Sequence, residues 1–219
     1  MMQTKKLQEG TKHMKTGKKT LYVLELALML GLGCALIVGA LTLRTRNEIS
    51  DKVVRLHVLA NSDSEEDQAL KLRVRDRVLE RTTVLLEQSA DRREAEGYLR
   101  GDLLELERIA AEEIAAAGFA YPVTAELTDT AFPTREYDGF SLPAGEYLAL
   151  RIVIGEGAGQ NWWCVVYPPL CTAAAADVSA TALAAGFSDG EVRLITEQEG
   201  YILRFKAVEL WEELRNKWK

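Results

Sequence analysis

The sequence predicts an α+β protein: an N-terminal transmembrane or signal helix, one exported domain with a helical hairpin on a mainly antiparallel sheet, and a C-terminal amphipathic helix. Three observations carry that reading. Leu21 to Leu43 runs LYVLELALMLGLGCALIVGALTL with a single charge, Glu25. Beyond it the order is one alternating strand, two amphipathic helices and then several adjacent strands, which is not the repeated βαβ pattern of a parallel sheet. The turn dipeptide Asp138-Gly139 joins two of those strands in the manner of a hairpin. The expected organisation is a basic cytoplasmic segment at 1–20, the apolar helix at 21–43, a linker at 44–52, the exported domain at 53–171 and a variable connector with the closing helix at 172–219.

At about 1.5 Å per residue the apolar stretch crosses a hydrocarbon core of about 30 Å. Six lysines precede it (Lys5, Lys6, Lys12, Lys15, Lys18, Lys19), and only Arg44 and Arg46 follow closely. The positive-inside rule keeps the N-terminus in the cytoplasm and sends residues 44–219 across. The stretch reads equally as a retained anchor and as a signal cut near the small residues Val38-Gly39-Ala40. With Glu9 and Glu25 the first 43 residues carry +4, so a total of −6 leaves −10 on the exported part. Such a surface repels phosphate backbones, which argues against a nucleic-acid partner. Cys164 and Cys171 have six residues between them in a region where thiols oxidise, so they are either a disulfide or two small buried apolar residues. No His or further Cys stands near to complete a zinc set.

Val53 to Ala60 alternates, with Val54, Leu56, Val58 and Ala60 on one side and Arg55 and His57 on the other: a half-buried strand. The acidic and capping residues Asn61 to Asp67 then start a helix running to about Gln88. Leu70, Val74, Val78 and Leu85 form one stripe on it and Leu72, Leu79 and Leu86 a second, so it is expected to be covered on both sides. Asp91 with Glu94 makes a capping box for the next helix, whose stripe is Leu99, Leu103, Leu106, Ala110 and Ile114 and whose stop is Gly118. Val123 to Thr128 alternates as a strand, and Glu146 to Ile154 is apolar enough for a central one. The glycine-rich run Gly155 to Asn161 reads as a hairpin loop into a strand Trp162 to Tyr167, ended by Pro168-Pro169. Residues 172–190 read as a short helix or connector, Glu191 to Ile195 as an edge strand, and Tyr201 to Trp218 as an amphipathic helix.

No constellation here carries catalysis on its own. The glycine run lacks the Gly-Lys-Ser/Thr ending of a phosphate loop. His57 has no nucleophile elbow to serve. Asp63, Glu65, Glu66 and Asp67 lack the Gly turn and closing Glu of a calcium loop, and helix-dipole compensation accounts for them. Neither a cofactor, a metal nor a small-molecule substrate is expected. Adjacent Trp162 and Trp163 must face opposite sides of a strand, and an exposed Trp is a frequent interface anchor.

Two stretches, Val54 to Asp76 (VRLHVLANSDSEEDQALKLRVRD) and Phe132 to Cys171 with its NWWCVVYPPLC ending, resemble the stage II sporulation protein R family. The resemblance implies an exported signalling protein made in the forespore and sent into the space between the two membranes. There it would activate a membrane-embedded aspartic protease of the mother cell, which processes the precursor of the early mother-cell sigma factor. On that reading the chain is not an enzyme, its partners are that receptor and the membrane at 21–43, and the candidate contact residues are Arg55, Asn61, Asp63, Asp67, Lys71, Arg75, Asp76, Trp162, Trp163, Tyr167, Pro168 and Pro169. Arg55, Asp67, Lys71, Arg75 and Asp76 read equally as an internal ion-pair network. The competing readings are an envelope hydrolase using His57 with nearby carboxylates, and a structural envelope protein without a switch role.

Overall fold

The computed structural model describes residues 2–171 and 177–196, with side chains from residue 21 onward. The expected closing helix at 201–218 lies outside the described residues. Two compact units divide the chain at Thr45/Arg46. The first is a stretch of helix α1 (Met2–Ser50), whose Leu21–Ser50 portion holds an 18-residue window of mean hydropathy 2.4, none of it buried, and is long and apolar enough to cross a membrane. The helix continues to Ser50, through most of the span expected as a linker.

The second unit is built on a four-stranded sheet in the order β2-β5-β1-β6, made of β1 (Val54–Leu59), β2 (Val123–Phe132), β5 (Gly145–Ile154) and β6 (Asn161–Tyr167). β5 runs parallel to β1, and the other two pairings are antiparallel. A short hairpin of β3 (Arg135–Tyr137) and β4 (Phe140–Leu142) turns at Asp138-Gly139, where Gly139 has φ +81°. That is the left-handed conformation the dipeptide favours.

Helices α2 (Glu65–Leu86) and α3 (Arg92–Ala116) form the hairpin on one face of the sheet. Each starts as its sequence requires. Ser64 Oγ accepts from Asp67 N–H, and Asp91 Oδ1 accepts from Glu94 N–H while the Glu94 carboxylate reaches back to Ala90 N–H. Gly118, at φ +86°, ends α3. Leu70, Val74 and Val78 of α2 and Leu99, Leu106 and Ile114 of α3 pack on Val54, Leu56, Val58, Leu150 and Ile152 in an aliphatic core. The second stripe on α2 is not covered along its length: Leu72 is exposed while Leu86 is buried.

The opposite face departs from expectation. β1 is not half-buried, because Arg55 is 0% and His57 5% exposed. A second apolar layer seals that side: Phe132, Phe140, Leu142 and Tyr147 with Ile49, and residues of α4 (Val178–Ala184) and α5 (Asp189–Thr196). Glu191 to Ile195, expected as an edge strand, is helical. Ser188 and Glu191 form a capping box there, with Ser188 N–H donating to the Glu191 carboxylate and Glu191 N–H to Ser188 Oγ, which fixes a helix start. Lys52 pairs with the same carboxylate at 2.6 Å.

The glycine run is not a hairpin loop either. β1 lies between β5 and β6, so the run passes over the end of β1. It is held against the β1–α2 turn by main-chain bonds, Gly159 N–H to Ala60 C=O at 2.9 Å and Ala158 N–H to Asn61 C=O at 3.2 Å. A Cβ at Gly159 would strike the Ser62 carbonyl, which is why the close approach needs glycine.

Candidate functional site

The two tryptophans fall on opposite faces of edge strand β6, as its pleat demands. Trp162, 36% exposed, lies on the side of α2, where the Arg75 guanidinium sits 4.3 Å from its ring centroid. Trp163 turns to the other face. There it stacks on His57 at 3.8 Å, meets Phe132 edge-on at 4.5 Å, and has the Arg135 guanidinium 5.8 Å from its ring.

Between the walls that these faces build is an open cleft of about 550 Å³. Arg75, Asp76 and Leu79 of α2 line one side, and Tyr137, Asp138 and Phe140 of the β3–β4 hairpin line the other. Cys164, Leu170, Cys171 and Val178 complete it. Cys164 and Cys171 are free thiols in hydrogen-bond contact, and Val165 N–H donates to Cys171 Sγ at 3.2 Å. The hydrogen bond from Cys171 makes Cys164 the easier of the two to ionise, while that bond and burial push Cys171 up.

Beneath this cleft sits a buried cation. Arg55 lies 3.9 Å from the Phe132 ring centroid and 4.8 Å from that of Tyr147, and its Nη2 donates to Tyr137 Oη. Its Nε and Nη1 have no hydrogen-bond partner. No carboxylate among the described residues pairs with it, so aromatic faces supply its stabilisation, each worth about 0.5–2 kcal/mol. Burial pushes the Tyr137 hydroxyl up to about 12 even though the Arg55 charge acts against that shift.

His57 is equally enclosed. Its Nε2 bonds Asn161 Oδ1 at 2.8 Å, and Nδ1 is buried without a partner. Burial pulls its pKa down to about 4, against the raising effect of the Asn161 bond and with help from the Arg151 and Arg55 charges. The ring is therefore neutral near pH 7.

The remaining expected contact residues divide by their partners. Asp67 is buried and accepts from Asn61 Nδ2 at 2.8 Å and Ser62 Oγ at 2.6 Å; the Ser62 bond leads in holding its carboxyl below the ordinary range. Asn61 Oδ1 accepts from Glu156 N–H, and Asp63 Oδ1 from Gln160 N–H at 2.7 Å. Lys71 donates to the Gln160 carbonyl at 3.0 Å, with its pKa lowered by burial. These four hold the glycine run on the β1–α2 turn. Arg75 and Asp76 pair with each other at 2.6 Å at the cleft, so the five charges Arg55, Asp67, Lys71, Arg75 and Asp76 do not form one ion-pair network. Tyr167 and Pro168 are buried, Pro169 is half-buried, and the Tyr167–Pro168 bond is cis. Among the described residues no three His, Cys, Asp or Glu side chains converge as metal ligands. Arg135 and Tyr137 were missed by the sequence reading. The signal for them was their position flanking the Asp138-Gly139 turn.

Fold and cleft together define an α+β domain that follows an apolar helix in the chain, with an aromatic cleft along one sheet edge. The stage II sporulation protein R family model matches residues 50–177, more than half of the chain. The chain is 41% identical over 123 residues to "Stage II sporulation protein R" of Bacillus subtilis (strain 168), an alignment covering 56% of this chain and 55% of that protein, so it spans about half the length of that curated relative. The chain belongs to the stage II sporulation protein R family. No solved structure matches it.

Proposed function

We propose that this chain is an exported sporulation signal that activates a membrane-embedded aspartic protease of the mother cell, triggering processing of the precursor of the early mother-cell sigma factor. It is made in the forespore and acts from the space between the two membranes, either anchored by residues 21–43 or released after cleavage. The observation that carries the reading is the cleft. A tryptophan 36% exposed under an arginine, beside a second stacked over a sealed face, is the anchor chemistry of an interface.

The domain works by contact and not by catalysis. A histidine whose pKa is about 4, with its Nε2 engaged by Asn161, is a poor base near neutral pH, which speaks against a His57 hydrolase. Activation requires that the domain bind the active state of the receptor better than the inactive one. A swing from mostly off to mostly on takes about 10⁴-fold, or ~5.5 kcal/mol, of preference. One or two aromatic anchors reach that scale. In the oxidising exported compartment Cys164 and Cys171 close to a disulfide, passing two electrons and two protons to an oxidised thiol oxidoreductase.

Co-expression of this chain, the candidate protease and the sigma-factor precursor in a non-sporulating host tests the proposal. Cleavage of the precursor is expected with the full chain and not with a variant lacking residues 1–43. Cleavage that ignores this chain, or that persists when it is kept in the cytosol, contradicts it.

A further inference from the structure

Each edge strand of the sheet has one outward N–H met by a side chain. On β2 the outward N–H of Ala125 is met by the Glu107 carboxylate of α3 at 3.2 Å. On β6 the outward N–H of Val165 is met by Cys171 Sγ. Main-chain groups alternate sides along a strand and the β1–β6 register is regular from Val165 to Asn161, so Trp163 aims its N–H and C=O the same way as Val165. Among the described residues nothing meets them. They face the cleft, which straddles the sheet edge with α2 on one side and the β3–β4 hairpin on the other.

We propose that the outer edge of β6 receives an added strand: an extended segment of the receptor pairs its main chain with Trp163 and fills the cleft. This rests on the receptor reading above and names the chemistry of the contact. An unpaired strand edge is a template that proteins normally blunt, and a polypeptide backbone supplies a donor and an acceptor at the spacing it demands. An added strand lies about 4.8 Å from β6 and turns its side chains alternately up and down. One set would meet Trp162 and Leu79, the other Tyr137 and Phe140. The alternating side chains are therefore apolar. Arg135 forms no ion pair among the described residues and stands over Trp163, so the segment carries a carboxylate on that side; Asp138 at the turn tip disfavours further acids there. A second copy of this chain suits the edge poorly, because the exported part carries −10 and two copies repel.

The test uses the full chain with the candidate receptor protease in membranes. A photo-crosslinking residue replaces Asp76 on one wall or Asp138 on the other, with Glu126 on the far edge strand as the control. Main-chain amide exchange is then followed in the detergent-solubilised pair. The expected result is crosslinking from both walls, and not from 126, to one short receptor segment, with exchange at the Trp163 amide slowed about tenfold or more. Crosslinks to the receptor with no slowing at Trp163 overturn strand addition and leave the receptor reading standing. Crosslinking to no receptor segment, in a host where processing also fails, overturns both. Crosslinks from the walls to residues 197–219 of the same chain or to a second copy overturn the proposal by giving the edge another occupant.

Discussion

The two faces of the sheet are packed by different chemistry. Toward α2 and α3, strand residues Val54, Leu56, Val58, Leu150 and Ile152 meet leucines and valines. Toward the β3–β4 hairpin, α4 and α5, the same strands present Arg55, His57, Trp163 and Tyr147 to further aromatic rings. Aliphatic burial is strong and non-directional, so the first face serves the fold. Burying a guanidinium without a carboxylate and an imidazole with an orphaned nitrogen works against stability, so the second face was shaped by something else. We read that difference as a division between an aliphatic scaffold and an aromatic face whose rim, at Tyr137, Phe140 and Trp163, borders the cleft.

The division can be broken by substitution at adjacent positions on one strand. Leu56→Ala removes a fully buried side chain from the aliphatic face and is expected to cost about 2–5 kcal/mol, a large part of a domain's total stability. Chemical denaturation measures it; a loss under about 1 kcal/mol would show that this core collapses around the cavity.

The acid limb of stability probes the other face. The folded pKa of His57, about 4, lies below its ordinary 6.5, so the unfolded chain binds the proton first. Its contribution is whole above pH 6.5 and is lost as pH falls toward 4, on the order of 1–3 kcal/mol. His57→Gln, which retains a partner for Asn161, is expected to flatten that part of the pH profile. An unchanged slope between pH 6.5 and 4 would assign the acid sensitivity to other groups.

Arg55→Met keeps the apolar stem and removes the buried charge. Lost ring contacts and relieved desolvation oppose each other, so the melting stability is expected to stay within about 1 kcal/mol of the parent. A loss on the Leu56→Ala scale would make the aromatic face a scaffold too, and the division would fail.

How far this was legible from residues follows the same line. The helical hairpin was readable because its signals are local: Ser64 and Asp91 cap, Gly118 stops, and the leucine stripes repeat at helical spacing. β5 was readable as central because an apolar run has nowhere else to go. Arg55 and His57 were read as facing water because polar residues at alternate positions usually do, and only the tertiary cover from Phe132, Phe140 and Tyr147 reverses that. The loop passing over β1 was read as a hairpin because sequence order shows that β5 and β6 are neighbours in the chain, not that β1 lies between them. The Ser188 and Glu191 capping box was a local signal, outweighed by the β-branched residues after it. In the site, adjacent tryptophans were visible as an oddity. Their rim of Arg135 and Tyr137 was not, since it comes from a hairpin distant in sequence.

The most direct measurement of the proposed contact at the cleft is precursor processing by Trp162→Ala in the reconstituted host, read beside the variant's melting stability. Trp162 is 36% exposed, so its loss leaves both cores intact. The account predicts a folded protein of near-parental stability that no longer triggers cleavage. Cleavage at the parental rate by that folded variant would contradict it.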